Sequence, residues 1–246
     1  MSNQPVYAIG DIHGHLDKLV ELHGWIDRDQ AKFGEGPIVH VGDFTDRGPD
    51  SKGVLDYLIE GKAAGKNWSF LKGNHDRMMS LYLQDVPERD HRLRAEYEWT
   101  HPRLGGLETL QSYGIDIRLD GAGLHRASLD TVPQSHIDFL NDLPTKAEFD
   151  GILIVHAGIR PGVPLAQQTE DDLIWIRDEF HFSRASHGPL IIHGHTPVED
   201  VFHYGNRVNI DTGVAYGGPL SAVVWQDGEI WRVTKRGRVK LTPPAR

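Results

Sequence analysis

An α/β fold is predicted for this chain of 246 residues, and three observations carry the prediction. Short apolar runs of strand length alternate with segments whose apolar residues recur at helical spacing. Polar turns opened by glycine follow the first three runs directly: Gly10-Asp11-Ile12-His13-Gly14, Gly42-Asp43-Phe44-Thr45-Asp46-Arg47-Gly48 and Gly73-Asn74-His75-Asp76. With 39% hydrophobic and 25% charged residues, the composition suits one substantial core, so a single domain is expected over residues 1–246.

Val6–Ile9 reads as a buried strand, and the helix after it presents Leu16, Leu19, Val20, His23 and Ile26 on one face. Residues 37–41 form the second strand. Ser51 reads as the N-cap of a helix that turns Val54, Leu55, Leu58 and Ile59 inward. Residues 68–71 form the third strand, and a helix with Met78, Met79 and Leu81 runs on from the Gly73 turn.

From about residue 84 to 145 the alternation stops. That stretch is rich in charge and histidine, carries Tyr97, Trp99 and Tyr113, and lacks strand signals. It is expected to be a mainly helical insertion beside the motif-bearing edge. Its last helix should start with Pro133 in the first turn and end at Leu143, stopped by Pro144. Strands return at Ile152–Val155 and at residues 189–192, 207–210, 220–224 and 230–233, with Asp227-Gly228 as a two-residue hairpin turn. The basic tail, about 236–246, is expected to be solvated and loosely held.

Composition also excludes. A formal charge of −9 argues against non-specific binding to nucleic acid or an anionic membrane, so neither is expected as a partner. The absence of cysteine removes disulfides, thiolate metal sites and a cysteine nucleophile together. The apolar run Ile152–Val155 is too short to span a bilayer, and Met1 leads into the first strand without a basic, apolar leader. A cytoplasmic address is the resulting expectation.

Each motif sits at the C-terminal end of a strand, where open α/β sheets bind ligands. Asp11 and His13 lie two apart, so an extended backbone would project both to one side. The alternative is that Asp11 caps the next helix and His13 is an incidental loop residue. Asp43 and Asn74 follow neighbouring strands, and a carboxylate can bridge two ions. His156 and His195 add imidazoles from two further strand ends. Oxygen and imidazole donors suit manganese, iron and zinc alike. Recurrence of the pattern at successive strand ends favours ligation over capping.

The ordered set GDIHG, GDFTDRG, GNHD, His156-Ala157-Gly158 and His193-Gly194-His195 resembles the phosphoprotein phosphatase family of metallophosphoesterases, in particular its bacterial serine/threonine phosphatase branch. The resemblance runs from Val6 to about Val224. It implies a calcineurin-like metallophosphoesterase fold, a two-sheet β-sandwich flanked by helices. It implies two divalent metal ions, manganese foremost and iron or zinc as alternatives. One would be held by Asp11, His13 and Asp43, the other by Asp43, Asn74, His156 and His195. In-line attack by hydroxide shared between the metals would follow, with His75 as general acid and Asp46 orienting it.

By the same resemblance Arg47 and Arg177 would grip the phosphate, with Asn74, Arg160 and Tyr216 as further substrate contacts. The plainer alternatives pair Arg47 with Asp46, Arg177 with Asp178 or Glu179, and make Tyr216 a packed turn residue. Pro197 stands where many other metallophosphoesterases carry a second histidine, as the phosphoprotein phosphatase pattern requires. His193 is assigned no metal, and His23, His40, His91, His101, His125 and His203 no chemical role. The expected activity is phosphomonoester hydrolysis on phosphorylated proteins or peptides, as a serine/threonine protein phosphatase. The alternative is a symmetrical dinucleoside tetraphosphate hydrolase, although those enzymes generally lack the histidine matching His13. A non-catalytic binding scaffold is disfavoured because no ligand or acid position is lost.

Overall fold

The structure, a computed structural model, describes residues 4–244. The chain opens with β1 (Val6–Ile9), α1 (Leu16–Phe33), β2 (Ile38–His40), α2 (Ser51–Ala63), β3 (Trp68–Phe70) and α3 (Asn74–Tyr82). The insertion supplies α4 (Gly106–Ser112), α5 (Gly121–Thr131) and α6 (Gln134–Asn141). There follow β4 (Lys146–Phe149), β5 (Ile152–Val155), α7 (Glu170–Trp175), α8 (Asp178–His181), β6 (Leu190–His193), β7 (Phe202–His203) and β8 (Arg207–Asn209). The chain closes with β9 (Ala222–Gln226), β10 (Glu229–Thr234) and β11 (Gly237–Lys240).

These strands make two sheets, ordered β11-β10-β9-β1-β2-β3 and β4-β5-β6-β8-β7. Strands β1, β2 and β3 are mutually parallel, as are β5, β6 and β8, so three C-terminal ends of each sheet share one edge. The period-two alternation of a strand sorts its residues by face. Val6 and Ala8 of β1 point between the sheets, where Val39, Val41 and Val223 meet Ile152, Ile154, Ile192 and Val208. Tyr7 and Ile9 point outward to α1, α2 and the insertion, packing on Leu19, Leu22, Ile26, Val54, Leu55 and Leu58. On the far face, Leu153, Val155 and Ile191 pack on Leu173, Ile174 and Phe180 of α7 and α8. Burying each such aliphatic side chain stabilises by roughly 1.5–3 kcal/mol. The expected two-sheet sandwich flanked by helices is what forms.

Several local expectations differ from the structure. Val20 is 46% exposed and Leu22 takes the inward place on α1. At about 100° per residue Val20 is turned off the stripe that Leu19, Leu22 and Ile26 define. The cap of α2 is Asp50, whose carboxylate accepts from Gly53 N–H at 2.8 Å, and Ser51 is already helical. Pro133 is the N-cap of α6 rather than a first-turn residue. The insertion is helical only from Gly106 onward, its earlier half being a series of turns. The Asp227-Gly228 turn forms as expected, with φ of 55° and 77° between paired Gln226 and Glu229.

The largest correction concerns the tail. Residues Gly237–Lys240 are β11, paired antiparallel with β10. Arg238 donates to both oxygens of Asp29 on α1 at 2.7 to 3.0 Å, and Tyr7 donates its hydroxyl to the same carboxylate at 2.7 Å. A buried carboxylate requires a counter-charge, and the apparently solvated tail provides it.

Candidate active site

The turn after β2 is fixed by Asp76 in the first turn of α3. Its carboxylate accepts from the N–H groups of Asp43 (2.8 Å), Phe44 (2.9 Å) and Gly73 (2.9 Å). Asp43 in turn accepts from His75 N–H at 2.9 Å. A Cβ on Gly73 would lie 2.2 Å from the Asp43 carboxylate, so this turn admits only glycine. Five of the six non-glycine residues with positive φ among the described residues belong to these turns: His13, Asp43, Asp46, Arg47 and His195. Such backbone costs on the order of 1–3 kcal/mol per residue and persists where the surroundings over-determine it.

Two donor groups result. His13, Asp43 and His75 each bring one ligand atom within 4.8 Å of the others, and so do Asp43, His156 and His195. The tautomers follow from neighbouring carbonyls. His13 Nδ1–H donates to Thr45 O at 2.8 Å and His156 Nδ1–H to Val41 O at 3.0 Å, leaving each Nε2 with a lone pair. His156 Nε2 then faces Asn74 Oδ1 at 3.1 Å, His195 Nδ1 at 3.2 Å and Asp43 Oδ1 at 3.5 Å. Lone pairs converging in a dry pocket call for a cation.

Electrostatics agree. Burial pulls His156 down to about 4 and His13 well below its ordinary value, which keeps both imidazoles neutral; the Nε2 lone pair of His13 accepts from Arg47 Nη1 at 2.9 Å. Burial pushes Asp43 up to about 7, against the lowering pull of His75 N–H and Arg47. Asp11 is pushed well up by burial, then by Asp211 and Asp43. Mutually repelling buried carboxylates beside neutral imidazoles fit hard or borderline divalent ions.

Beside this centre His75 Nδ1 meets Asp46 Oδ2 at 2.6 Å. Asp46 is fully buried and also accepts from Trp99 Nε1 at 2.9 Å and Thr109 Oγ1 at 2.8 Å. Burial, followed by Arg47, works against an imidazolium at His75. Burial also pushes Asp46 well up, and at 2.6 Å the two side chains share the Nδ1 proton, so a second proton can sit on His75 Nε2. His75 and Asn74 open onto a cavity of about 570 Å³ walled by Arg47, Arg92, Arg94, Arg103, Arg177, Tyr97, Trp175 and Tyr216. Arg47 lies over the Tyr216 ring, 5.4 Å from its centroid, and Arg177 donates to Thr196 Oγ1 at 3.2 Å.

The structure thus gathers His13, Asp43, Asn74, His156 and His195 with the His75–Asp46 pair, and puts Arg47, Arg177 and Tyr216 on the cavity wall. Asp11 lies behind: its oxygens accept from His195 N–H at 3.0 and 3.2 Å, and it joins neither three-residue donor group. The chain turns at His13 (φ 44°) instead of staying extended. Arg160 is elsewhere, its guanidinium bound to Asp172 at 2.7 Å and to Glu179.

Sequence reasoning missed Asp211, which is buried just beyond β8 and electrostatically coupled to Asp11 and Asp43. Its signal was the same as that of the others, a carboxylate directly after an apolar strand, without the flanking glycine. Trp99, Thr109, Arg92, Arg94 and Arg103 were also missed, and only the concentration of charge and aromatics in the insertion hinted at them.

The sequence profile of the calcineurin-like phosphoesterases matches residues 4–225. A bis(5′-nucleosyl)-tetraphosphatase of Geobacillus thermodenitrificans, PrpE, described as asymmetrical, is 28% identical over 240 residues, covering 87% of this chain and 88% of its own. A crystal structure of a putative diadenosine tetraphosphatase superposes with a TM-score of 0.62 at 22% identity, covering 94% and 93% of the two chains. The cold-active protein-tyrosine phosphatase of a psychrophilic Shewanella superposes with 0.61 at 19% identity, covering 98% of this chain and 81% of its own.

Proposed function

The chain belongs to the calcineurin-like phosphoesterase family, and on that premise we propose that it hydrolyses dinucleoside polyphosphates. The carrying observation is the setting of two donor groups sharing Asp43 beside a cavity of about 570 Å³ whose wall carries five guanidiniums and three aromatic rings. Arginine forks match phosphate oxygens, and Tyr97, Trp175 and Tyr216 put aromatic surface on the same wall, of the kind on which a nucleobase stacks. The family relative named as a bis(5′-nucleosyl)-tetraphosphatase supports the same reading.

The residues that would hold divalent ions are Asp11, His13 and Asp43 on one side and Asp43, Asn74, His156 and His195 on the other, with Asp211 behind them. Ions bound there supply a nucleophile at neutral pH by lowering the pKa of water, and they offset charge on the phosphate. Arg47 and Arg177 orient the scissile group. His75 delivers a proton from Nε2 to the departing oxygen while Asp46 holds Nδ1–H at 2.6 Å.

Protein phosphatase activity, of the serine/threonine type that the motifs suggest, is the second reading. It is favoured by the complete set of acid and ligand positions and by the accessible cavity mouth, where Tyr216 is 68% exposed. One manganese-loaded preparation assayed on diadenosine tetraphosphate, phosphoserine and phosphotyrosine peptides and p-nitrophenyl phosphate separates them. We expect kcat/KM for diadenosine tetraphosphate to exceed that for either peptide at least tenfold. A preference for peptide would replace the first reading by the second. Absence of turnover on every substrate with manganese, nickel or cobalt would sink both. Chromatography of the products distinguishes asymmetric cleavage, to a triphosphate and a monophosphate, from symmetric cleavage to two diphosphates.

A further inference from the structure

Five guanidiniums and no carboxylate line the cavity among the described residues, in a chain whose formal charge is −9. Three of them, Arg92, Arg94 and Arg103, belong to the insertion and lie outside every motif. Several arginines elsewhere are paired with carboxylates: Arg77 binds Asp90 and Asp171, Arg160 binds Asp172, and Arg238 binds Asp29. The guanidiniums of Arg92 and Arg94 make no hydrogen bond or ion pair among the described residues, and the Arg103 guanidinium meets no carboxylate there, donating to the Tyr97 hydroxyl at 3.0 Å. Uncompensated like charges repel, so their convergence on one cavity has an energetic cost that an anionic ligand removes.

Their backbone is also fixed in advance. Asp90, 1% exposed, accepts from Arg92 N–H at 2.9 Å, from Arg77 Nε at 2.8 Å and Nη2 at 3.0 Å, and from Trp175 Nε1 at 3.2 Å. Arg77 lies two residues beyond His75 on α3, so a buried ion pair ties the arginine segment to the element carrying the catalytic turn. A single phosphate monoester is already served by Arg47 and Arg177. Three additional guanidiniums match additional phosphates.

We propose that Arg92, Arg94 and Arg103 form a second anion subsite that binds the polyphosphate chain beyond the scissile phosphate, with Tyr97 at its flank. This rests on the phosphoesterase reading and narrows its substrate to molecules carrying several linked phosphates. The test compares wild type with the double variants Arg92→Gln/Arg94→Gln and Arg92→Lys/Arg94→Lys, with thermal melting as the check on folding. Tripolyphosphate is titrated calorimetrically into the as-purified protein, and kcat/KM is measured for diadenosine tetraphosphate and p-nitrophenyl phosphate with free manganese held constant.

The glutamine variant should bind tripolyphosphate at least tenfold more weakly, and its ratio of kcat/KM for the dinucleotide over the nitrophenyl ester should fall at least tenfold. The lysine variant should stay within threefold to fivefold of wild type on both measures. Equal losses on the two substrates, or unchanged tripolyphosphate binding, would overturn the subsite. Tighter binding of a glutamate-flanked phosphoserine peptide than of tripolyphosphate, lost in the glutamine variant, would overturn it in favour of an acidic peptide. If wild type cleaves the nitrophenyl ester but not the dinucleotide, while tripolyphosphate binding still depends on the arginines, the subsite stands and the dinucleotide reading falls.

Discussion

At the scale of single residues, the site assigns different jobs to neighbours in one turn. Asn74 points its amide oxygen at His156 Nε2, while His75 gives its Nδ1 to Asp46. His75→Asn should therefore lower turnover about 10²-fold or more while leaving bound metal, measured by mass spectrometry, within error of wild type. Asp43→Asn should lower the metal content of both sites, because Asp43 alone belongs to both donor groups. Metal lost from the His75 variant and retained by the Asp43 variant would exchange their roles. Residues of this kind were legible because a glycine, a strand end and a ligand type coincide at each. Asp211 lacked the glycine. Arg160 misled because the carboxylates that claim it, Asp172 and Glu179, are 12 and 19 positions away, and no local pattern reveals a partner at that distance.

Among the elements, β11 shows what sequence pattern leaves out. A short basic terminus with prolines looks unstructured, yet its Arg238 side chain is 8% exposed against an Asp29 side chain at 3%. Their sequence separation of 209 residues hides the pair from any local reading. Removing one member of a buried ion pair leaves an uncompensated charge, worth about 3–5 kcal/mol. Arg238→Ala should lower the unfolding free energy from urea denaturation by that amount, seen as a lower midpoint at unchanged m-value, while kcat on p-nitrophenyl phosphate below the transition stays within twofold. An unchanged midpoint would return the tail to the solvated state expected from sequence. The insertion carries the complementary lesson. Its helices were foreseen, but not that Trp99 and Thr109 would reach Asp46, because nothing local to 84–145 announces a buried carboxylate 53 and 63 residues upstream.

For the whole molecule, buried histidines away from the site govern response to acid. His23 and His40 face each other at 3.0 Å between Nε2 atoms, with Tyr57 hydroxyl and Ser69 carbonyl on their other nitrogens. Burial lowers His23 to about 2 and His40 to about 4. The unfolded chain titrates near the ordinary value of 6.5, so below that pH it binds protons that the folded state refuses. Stability from this source is complete above pH 6.5 and is lost as pH falls towards 4, by roughly 3 kcal/mol for each group. The carboxylates act in the opposite sense when no metal is bound. Asp43 and Asp76, both raised to about 7 by burial, take up protons on folding and stabilise as pH falls below 7. Metal bound at Asp43 would keep it ionised and remove part of that offset. Urea midpoints of the manganese-loaded protein should thus be flat from pH 8 to 6.5 and fall steeply from 6.5 to 4.5, more steeply than those of the chelated protein. In His40→Phe the steep limb should become shallower while turnover at pH 7.5 stays within threefold. A midpoint that rises steadily from pH 7 to 4.5 with metal bound would show that the carboxylates, not the histidines, dominate proton uptake.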